Sequence, residues 1–350
     1  MGGHLFKALV AAVVVVLGFA LWYEWYWRSK GLTISYNDDK VLWARHRRQV
    51  YVPSDQATIL LGSSRIKFDV DIATWKEEAG EKAIQLSLPG TPPQLILHHL
   101  ANDINFKGKV IVDVMELQFF AIDRDRREKS AREAIEYFDN ETPAQKTSAL
   151  INHMLESKIV FLEEGLLGLT RLLDDFQLPN RAGVNGAPEI IKEFRTLSFE
   201  RQGFLTPIFL SDTLLQQRQM ENRKKSGGLS TRPSLEGESL EKLFNELRTS
   251  INKIRNRGGD VIFIRPPSSG EDWKIENIVN PRPRYYNALL TSTKTQGIHF
   301  LDYPETANLI CVDGSHLSPQ DAAIYTRHLI KILRKEKGWV FTRNSSNPVF

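Results

Sequence analysis

Two adjacent hydroxyls stand where an apolar run stops: Ile59-Leu60-Leu61 leads into Gly62-Ser63-Ser64-Arg65. Near the far end of the chain, Asp313 and His316 stand three residues apart in "DGSHLSP". A serine hydroxyl is a weak nucleophile that needs a base within hydrogen-bond reach, so serine, imidazole and carboxylate together are the materials of acyl transfer. A plainer reading exists for each group. Glycine suits a strand-to-helix turn, serine is a good helix cap, and an Asp and a His can share an ordinary capped loop. From the residues alone, Ser63 and Ser64 are both candidate nucleophiles.

The elements around these groups decide whether they can meet. Strand-like runs are read at 57–64 ("ATILLGSS"), 82–90 ("KAIQLSLPG"), 108–120 ("GKVIVDVMELQFF"), 260–267 ("DVIFIRPP") and 298–304 ("IHFLDYP"). The third is nearly all apolar, as expected of a strand covered on both faces. Helical periodicity separates the runs, from "TPPQLILHHLANDI" to a last helix capped by Ser318 with Pro319 in its first turn. Strands alternating with helices predict an α/β fold with a parallel sheet. Ligands of such sheets gather at the carboxyl ends of the strands. Ser63, Ser64, Gly90, Glu116 and Arg265 each follow a predicted strand and become candidate neighbours there. Arg65 and Arg265 read either as grips for an anion or polar glycan or as structural arginines. Glu116 reads either as a substrate-binding carboxylate or as a polar strand end, and Cys311 as a buried thiol.

Between the third and fourth strands the alternation breaks. Residues 125–235 read as a helical insertion, with leucines at helical spacing over 148–176 and a solvated loop over 220–239. The stretch 161–173 could meet a membrane or a partner, against the plainer reading of a core-packing helix.

Ala8 to Tyr23 carries no charge, and with its neighbours it can cross roughly 30 Å of hydrocarbon as a helix. Trp22, Tyr23, Trp25, Tyr26 and Trp27 suit the membrane interface. Bulky aromatics occupy the place where a signal peptide would carry small residues, which points to an uncleaved anchor. Lys7 and the later cluster Arg28, Lys30, Arg45, Arg47 and Arg48 argue for opposite orientations. The expected division is 5–27 anchor, 28–56 juxtamembrane segment, 57–335 globular domain interrupted by 125–235, and 336–350 tail. The 46 basic and 42 acidic residues leave a net charge of +4, scattered and too mild for nucleic acid binding. A single cysteine excludes an intrachain disulfide and a cysteine-based zinc cluster.

Gly62-Ser63-Ser64 after the first strand, with Asp313-Gly314-Ser315-His316 before the last helix, resembles the SGNH/GDSL hydrolase superfamily. The resemblance covers roughly 57–120 and 258–335. It implies a flavodoxin-like three-layer parallel sheet and makes Ser64 the nucleophile, with Ser63 in the place of the family's aspartate. His316 becomes the base and Asp313 its orienting carboxylate. The amides of Ser64 and Gly90 ("SLPG") become the oxyanion hole. The family's third block supplies an asparagine, and "DVMELQF" has none, so a third oxyanion donor must come from elsewhere or is missing.

Anchored members of this superfamily add or remove acyl groups on cell-wall or secreted polysaccharide, some beside a multispanning membrane acyltransferase. The resemblance therefore implies a single-pass membrane protein with an extracytoplasmic, periplasmic domain. It implies O-acyl transfer or ester hydrolysis through a Ser64 acyl-enzyme, with an acylated glycan or acyl donor as partner and no cofactor or metal. A general esterase using water, and a non-catalytic scaffold of a polysaccharide export system, are the alternatives.

Overall fold

The computed structural model describes residues 2–53, 56–168, 172–173, 191–225 and 233–341. Parts of the stretches 148–176 and 220–239 therefore lie outside the described residues. Helix α1 (Gly2–Ser29) comes first, then α2 (Lys40–Arg47). The body follows as β1 (Ala57–Leu61), α3 (Ser64–Asp69), α4 (Ile72–Ala79), β2 (Lys82–Gln85), α5 (Gln94–Asn102) and β3 (Lys109–Asp113). An excursion carries α6 (Lys129–Asn140), α7 (Pro143–Glu156), the short strands β4 (Arg195–Leu197) and β5 (Gly203–Leu205), and α8 (Thr213–Lys225). The body resumes with α9 (Gly237–Arg255), β6 (Asp260–Arg265), α10 (Gly270–Val279), α11 (Ala288–Thr293), β7 (Gly297–His299) and α12 (Pro319–Lys335).

The five body strands form one sheet in the order β2-β1-β3-β6-β7, every pair parallel. Both faces are covered because alternate side chains serve opposite cores. Ile59, Leu61, Val110, Val112, Val261 and Phe263 pack with Trp43 of α2, Leu97 of α5 and Leu247 of α9. Leu60, Ile111, Ile262 and Ile264 pack on the other side with Ile66 of α3, Trp75 of α4 and Leu329 of α12. Strands with near-continuous apolar centres are the sequence consequence of a sheet with no wet face.

Several expectations change. The third run ends as a strand at Asp113, and Glu116–Phe119 turns into a short helix. Apolarity continues because this turn stays in the core, so composition could not mark the switch. The helix expected from Ser239 begins at Gly237. The juxtamembrane segment 28–56 packs on the body, with Leu42, Trp43 and Ala44 of α2 fully buried. The tail contributes Trp339 and Phe341 to the core.

The excursion is also not wholly helical. β4 and β5 pair as an antiparallel hairpin, and Tyr36 N–H donates to Leu197 O at 3.0 Å. The hairpin fits against α3 because residue 203 has no side chain: a Cβ there would stand 2.7 Å from the Phe68 ring. Where the excursion leaves and returns, Ala121 bridges Ser234 and Leu235 N–H donates to Phe120 O at 2.7 Å. The two ends thus meet without disturbing the sheet.

Candidate active site

β1 delivers the chain to Gly62, whose φ is +153°. A Cβ at this position would lie 2.4 Å from Asp113 Cβ, so only glycine lets β1 turn beside the end of β3. Ser63 then caps α3. Its backbone N–H and its hydroxyl both donate to Asp113 Oδ2, at 3.2 and 3.1 Å. Its oxygen accepts from Arg65 N–H at 3.4 Å. Ser63 is buried and committed to Asp113, and Ser64 is the hydroxyl that meets the imidazole.

Ser64 Oγ lies 2.9 Å from His316 Nε2, and His316 Nδ1 lies 2.8 Å from Asp313 Oδ2. A carboxylate can only accept, so the ring proton belongs on Nδ1 and Nε2 is left to accept from the Ser64 hydroxyl. The Asp313 Oδ1 atom takes two more hydrogen bonds, from the backbone N–H groups of Ser315 (3.0 Å) and His316 (2.8 Å). The tight loop turns through Gly314, at φ +85°. Burial works to raise the Asp313 pKa, but His316, Arg223 and the Ser315 amide hold it well below the usual carboxylate range. Asp69 Oδ1 accepts from Leu317 N–H at 2.9 Å, fastening α3 to the loop that carries His316. The Phe68 ring lies 4.5 Å from the imidazole and the Phe194 ring 5.9 Å, centroid to centroid.

Gly90 sits in the turn after β2, exposed at φ +69°, with Thr91 N–H donating to Leu88 O at 3.1 Å. Leu88 N–H in turn donates to Gly62 O at 3.1 Å, which ties this loop to the residues just before Ser64. Ser64 and Gly90 therefore stand on two joined loops at the carboxyl edge of neighbouring strands, β1 and β2.

The charged candidates have a different place. Arg65, Arg265 and Glu116 are buried together beneath the loops, with Glu276 of α10 as their fourth member. Arg65 Nη2 donates to Glu276 Oε1 at 2.5 Å and also bonds Ser315 Oγ at 3.2 Å. Arg265 Nε donates to Glu116 at 3.0 Å, and its Nη2 to Glu276 Oε2 at 2.5 Å. Ser268 Oγ completes the set with a 2.7 Å bond to Glu276. Burial would raise the Glu276 pKa, yet Arg65 and Arg265 together bring it down to about 2. These side chains occupy one another and support the loops from below. The reading of Arg65, Arg265 and Glu116 as substrate grips is replaced by this internal network. Cys311 is buried as expected, its thiol pKa pushed up by burial.

Two arginines of the excursion belong to the site, and no local pattern pointed to them. Arg223 of α8 donates to the Asp313 carbonyl, lies 2.8 Å from Asp272 Oδ2 and 3.8 Å from Asp313 Oδ2. Arg201, in the hairpin turn at φ +65°, donates to Gln85 O (2.7 Å) and Ser87 O (3.1 Å), the backbone leading to Gly90. It also pairs with Asp38 at 2.7 Å. Asp38 takes Lys67 of α3 as well, a buried amine lowered to about 7 by burial and by Arg201, with Asp38 opposing. Arg223 sits in a strongly polar run, and Arg201 in a short turn between two apolar segments.

No protein-family model matches this chain, and no curated protein matches it.

Proposed function

We propose that the chain is an SGNH-type serine enzyme held at a membrane, transferring or removing acyl groups on cell-envelope or secreted polysaccharide through a Ser64 acyl-enzyme. One observation carries the proposal: the unbroken hydrogen-bonded line Ser64–His316–Asp313. Its setting supports it. Counted within the sheet, the strand order is second, first, third, fourth, fifth, the order of flavodoxin-like doubly wound folds, which bind ligands between the first and third strands. Ser64 follows the first, and Asp113, which holds Ser63, ends the third.

In this reading Ser64 Oγ attacks the ester carbonyl while His316 Nε2 takes its proton. Asp313 keeps the ring oriented and stabilises the imidazolium. The developing oxyanion lies toward the amides of Ser64 and Gly90, each such donor worth on the order of 10²–10³ in rate. As the tetrahedral adduct collapses, the Nε2 proton passes to the departing alkoxide and leaves an acyl ester on Ser64. A sugar hydroxyl or water, deprotonated by His316, then attacks that ester and frees the serine. α1 is long and apolar enough to span a membrane, which would keep the site beside its polymer and within reach of a multispanning membrane acyltransferase acting as donor.

Labelling with a fluorophosphonate tests the proposal. The wild type and Ser63→Ala should form the adduct, while Ser64→Ala and His316→Ala should not. Unchanged labelling of Ser64→Ala, or an unreactive wild type, would reject it and favour the non-catalytic scaffold.

A further inference from the structure

Helix α7 is amphipathic in the opposite sense from a helix packed on a soluble body. Ala149, His153 and Glu156 face inward. There His153 Nδ1 lies 3.2 Å from Glu156, and Asn37 donates to Glu156 at 2.6 Å. Outward it turns Leu150, Ile151, Met154 and Leu155, which are 51, 55, 65 and 46% exposed. At about 100° per residue these four fill an arc of about 140°, opposite the inward three. Helices in water turn their polar side out, and contiguous exposed apolar surface marks something that covers it.

The position of α7 identifies the cover. Just beyond its C-terminus the chain is bound to the end of α1. The Glu24 carboxylate accepts from Val160 N–H at 2.9 Å and Phe161 N–H at 3.3 Å. Arg28 donates to Lys158 O at 3.0 Å, and the Tyr23 and Phe161 rings stand 5.3 Å apart. A helix that enters hydrocarbon near Leu5 and crosses roughly 30 Å emerges near Glu24. The aromatic cluster there is suited to the headgroup region. Residues 158–161 are thereby held at headgroup level, and the last two turns of α7 lie within about 15 Å of them. Lys146 and Lys158 are exposed on the same segment, as suits an anionic lipid surface.

We infer that the outer face of α7 rests on lipid, at the boundary of headgroups and acyl chains of the leaflet from which α1 emerges. The domain then has two membrane contacts, a span and an interfacial helix, and cannot swing freely about α1. The inference depends on α1 spanning the bilayer and is independent of the acyl-transfer proposal.

The test uses the full chain in phosphatidylcholine–phosphatidylglycerol vesicles, with a nitroxide on one introduced cysteine at a time. The unsubstituted chain, whose Cys311 is buried, is the blank. Val14→Cys reports on α1, Ile151→Cys and Met154→Cys on α7, and Glu133→Cys on the exposed side of α6. The readout is access to oxygen relative to a water-soluble nickel chelate. Residues 151 and 154 should shift from the water-like value of 133 toward the lipid-like value of 14. If 151 and 154 match 133 while 14 is lipid-like, the inference fails and the span survives. Protection from both reagents would mean a protein covers the face, which also overturns it. A water-like value at 14 removes the span and the inference together.

Discussion

The parallel-sheet body and the excursion between β3 and α9 handle charge in contrasting ways. In the body, Arg65, Arg265, Glu116 and Glu276 close on one another as a buried set of two cations and two anions. The excursion instead lends its arginines outward. Arg201 holds backbone carbonyls before Gly90, and Arg223 holds the carbonyl of Asp313. A closed set supports whatever lies above it. An arginine donated across two segments sets where one stands relative to the other. In the proposed reaction the body supplies the reacting groups, and the excursion positions the loops that present them.

The contrast can be broken most sharply at the reacting groups. Ser64→Ala or His316→Ala should lower ester turnover by about 10³-fold or more, since members of a triad act as a unit, while far-UV circular dichroism stays unchanged. Retained turnover would mean the body does not supply the chemistry.

Next comes the closed set. Glu276→Ala leaves Arg65 and Arg265 buried with one carboxylate between them. It should cost about 3–5 kcal/mol in denaturant unfolding, as expected when one member of a buried ion network is removed. A much smaller loss would show the network to be open to water.

A lent arginine should behave otherwise. Arg223→Gln leaves the buried Asp272 without its cation and should cost about 1–3 kcal/mol in unfolding, less than Glu276→Ala, yet lower turnover about tenfold. It should also move the acid limb of the stability profile. Asp313 is held below its ordinary value of about 3.9. Its contribution is therefore complete above that value and is lost as pH falls through the depressed one. Without Arg223 the Asp313 pKa rises, so the acid loss of stability should begin at higher pH. A stability loss with unchanged turnover would make Arg223 structural only.

The smallest effect is expected at Ser63. Ser63→Ala removes a helix cap and a bond to Asp113, costing about 1 kcal/mol in unfolding, with fluorophosphonate labelling retained.

How much was legible depended on the range of the signal. Strand identity was readable at 57–61, 82–85 and 260–265 because the apolar runs are contiguous. Ser318 and Pro319 marked the start of α12 because caps are local. Three-residue spacing let Asp313 and His316 face the same way without requiring their contact. Strand ends were misjudged at 108–120, where the backbone turns inside the core and apolarity continues. The β4–β5 hairpin was hidden within a stretch dominated by helical period. Arg65, Arg265 and Glu116 were placed at the correct edge of the sheet, but their joint burial was not legible, because strand order does not say whether a side chain points to solvent or to a buried countercharge.

The sequence by itself determined the alternation of strands and helices, the apolar N-terminal helix and the Asp–His pair. Each is a property of neighbours along the chain, and periodicity and capping act over a few residues. Only the tertiary structure decided that Ser64 rather than Ser63 faces His316 across 252 residues. The same holds for the arginines that close on carboxylates, those that reach the loops, and the apolar face of α7 that stays uncovered. Those outcomes depend on which polar groups packing brings within about 3 Å of one another, and that distance is set by the assembled core.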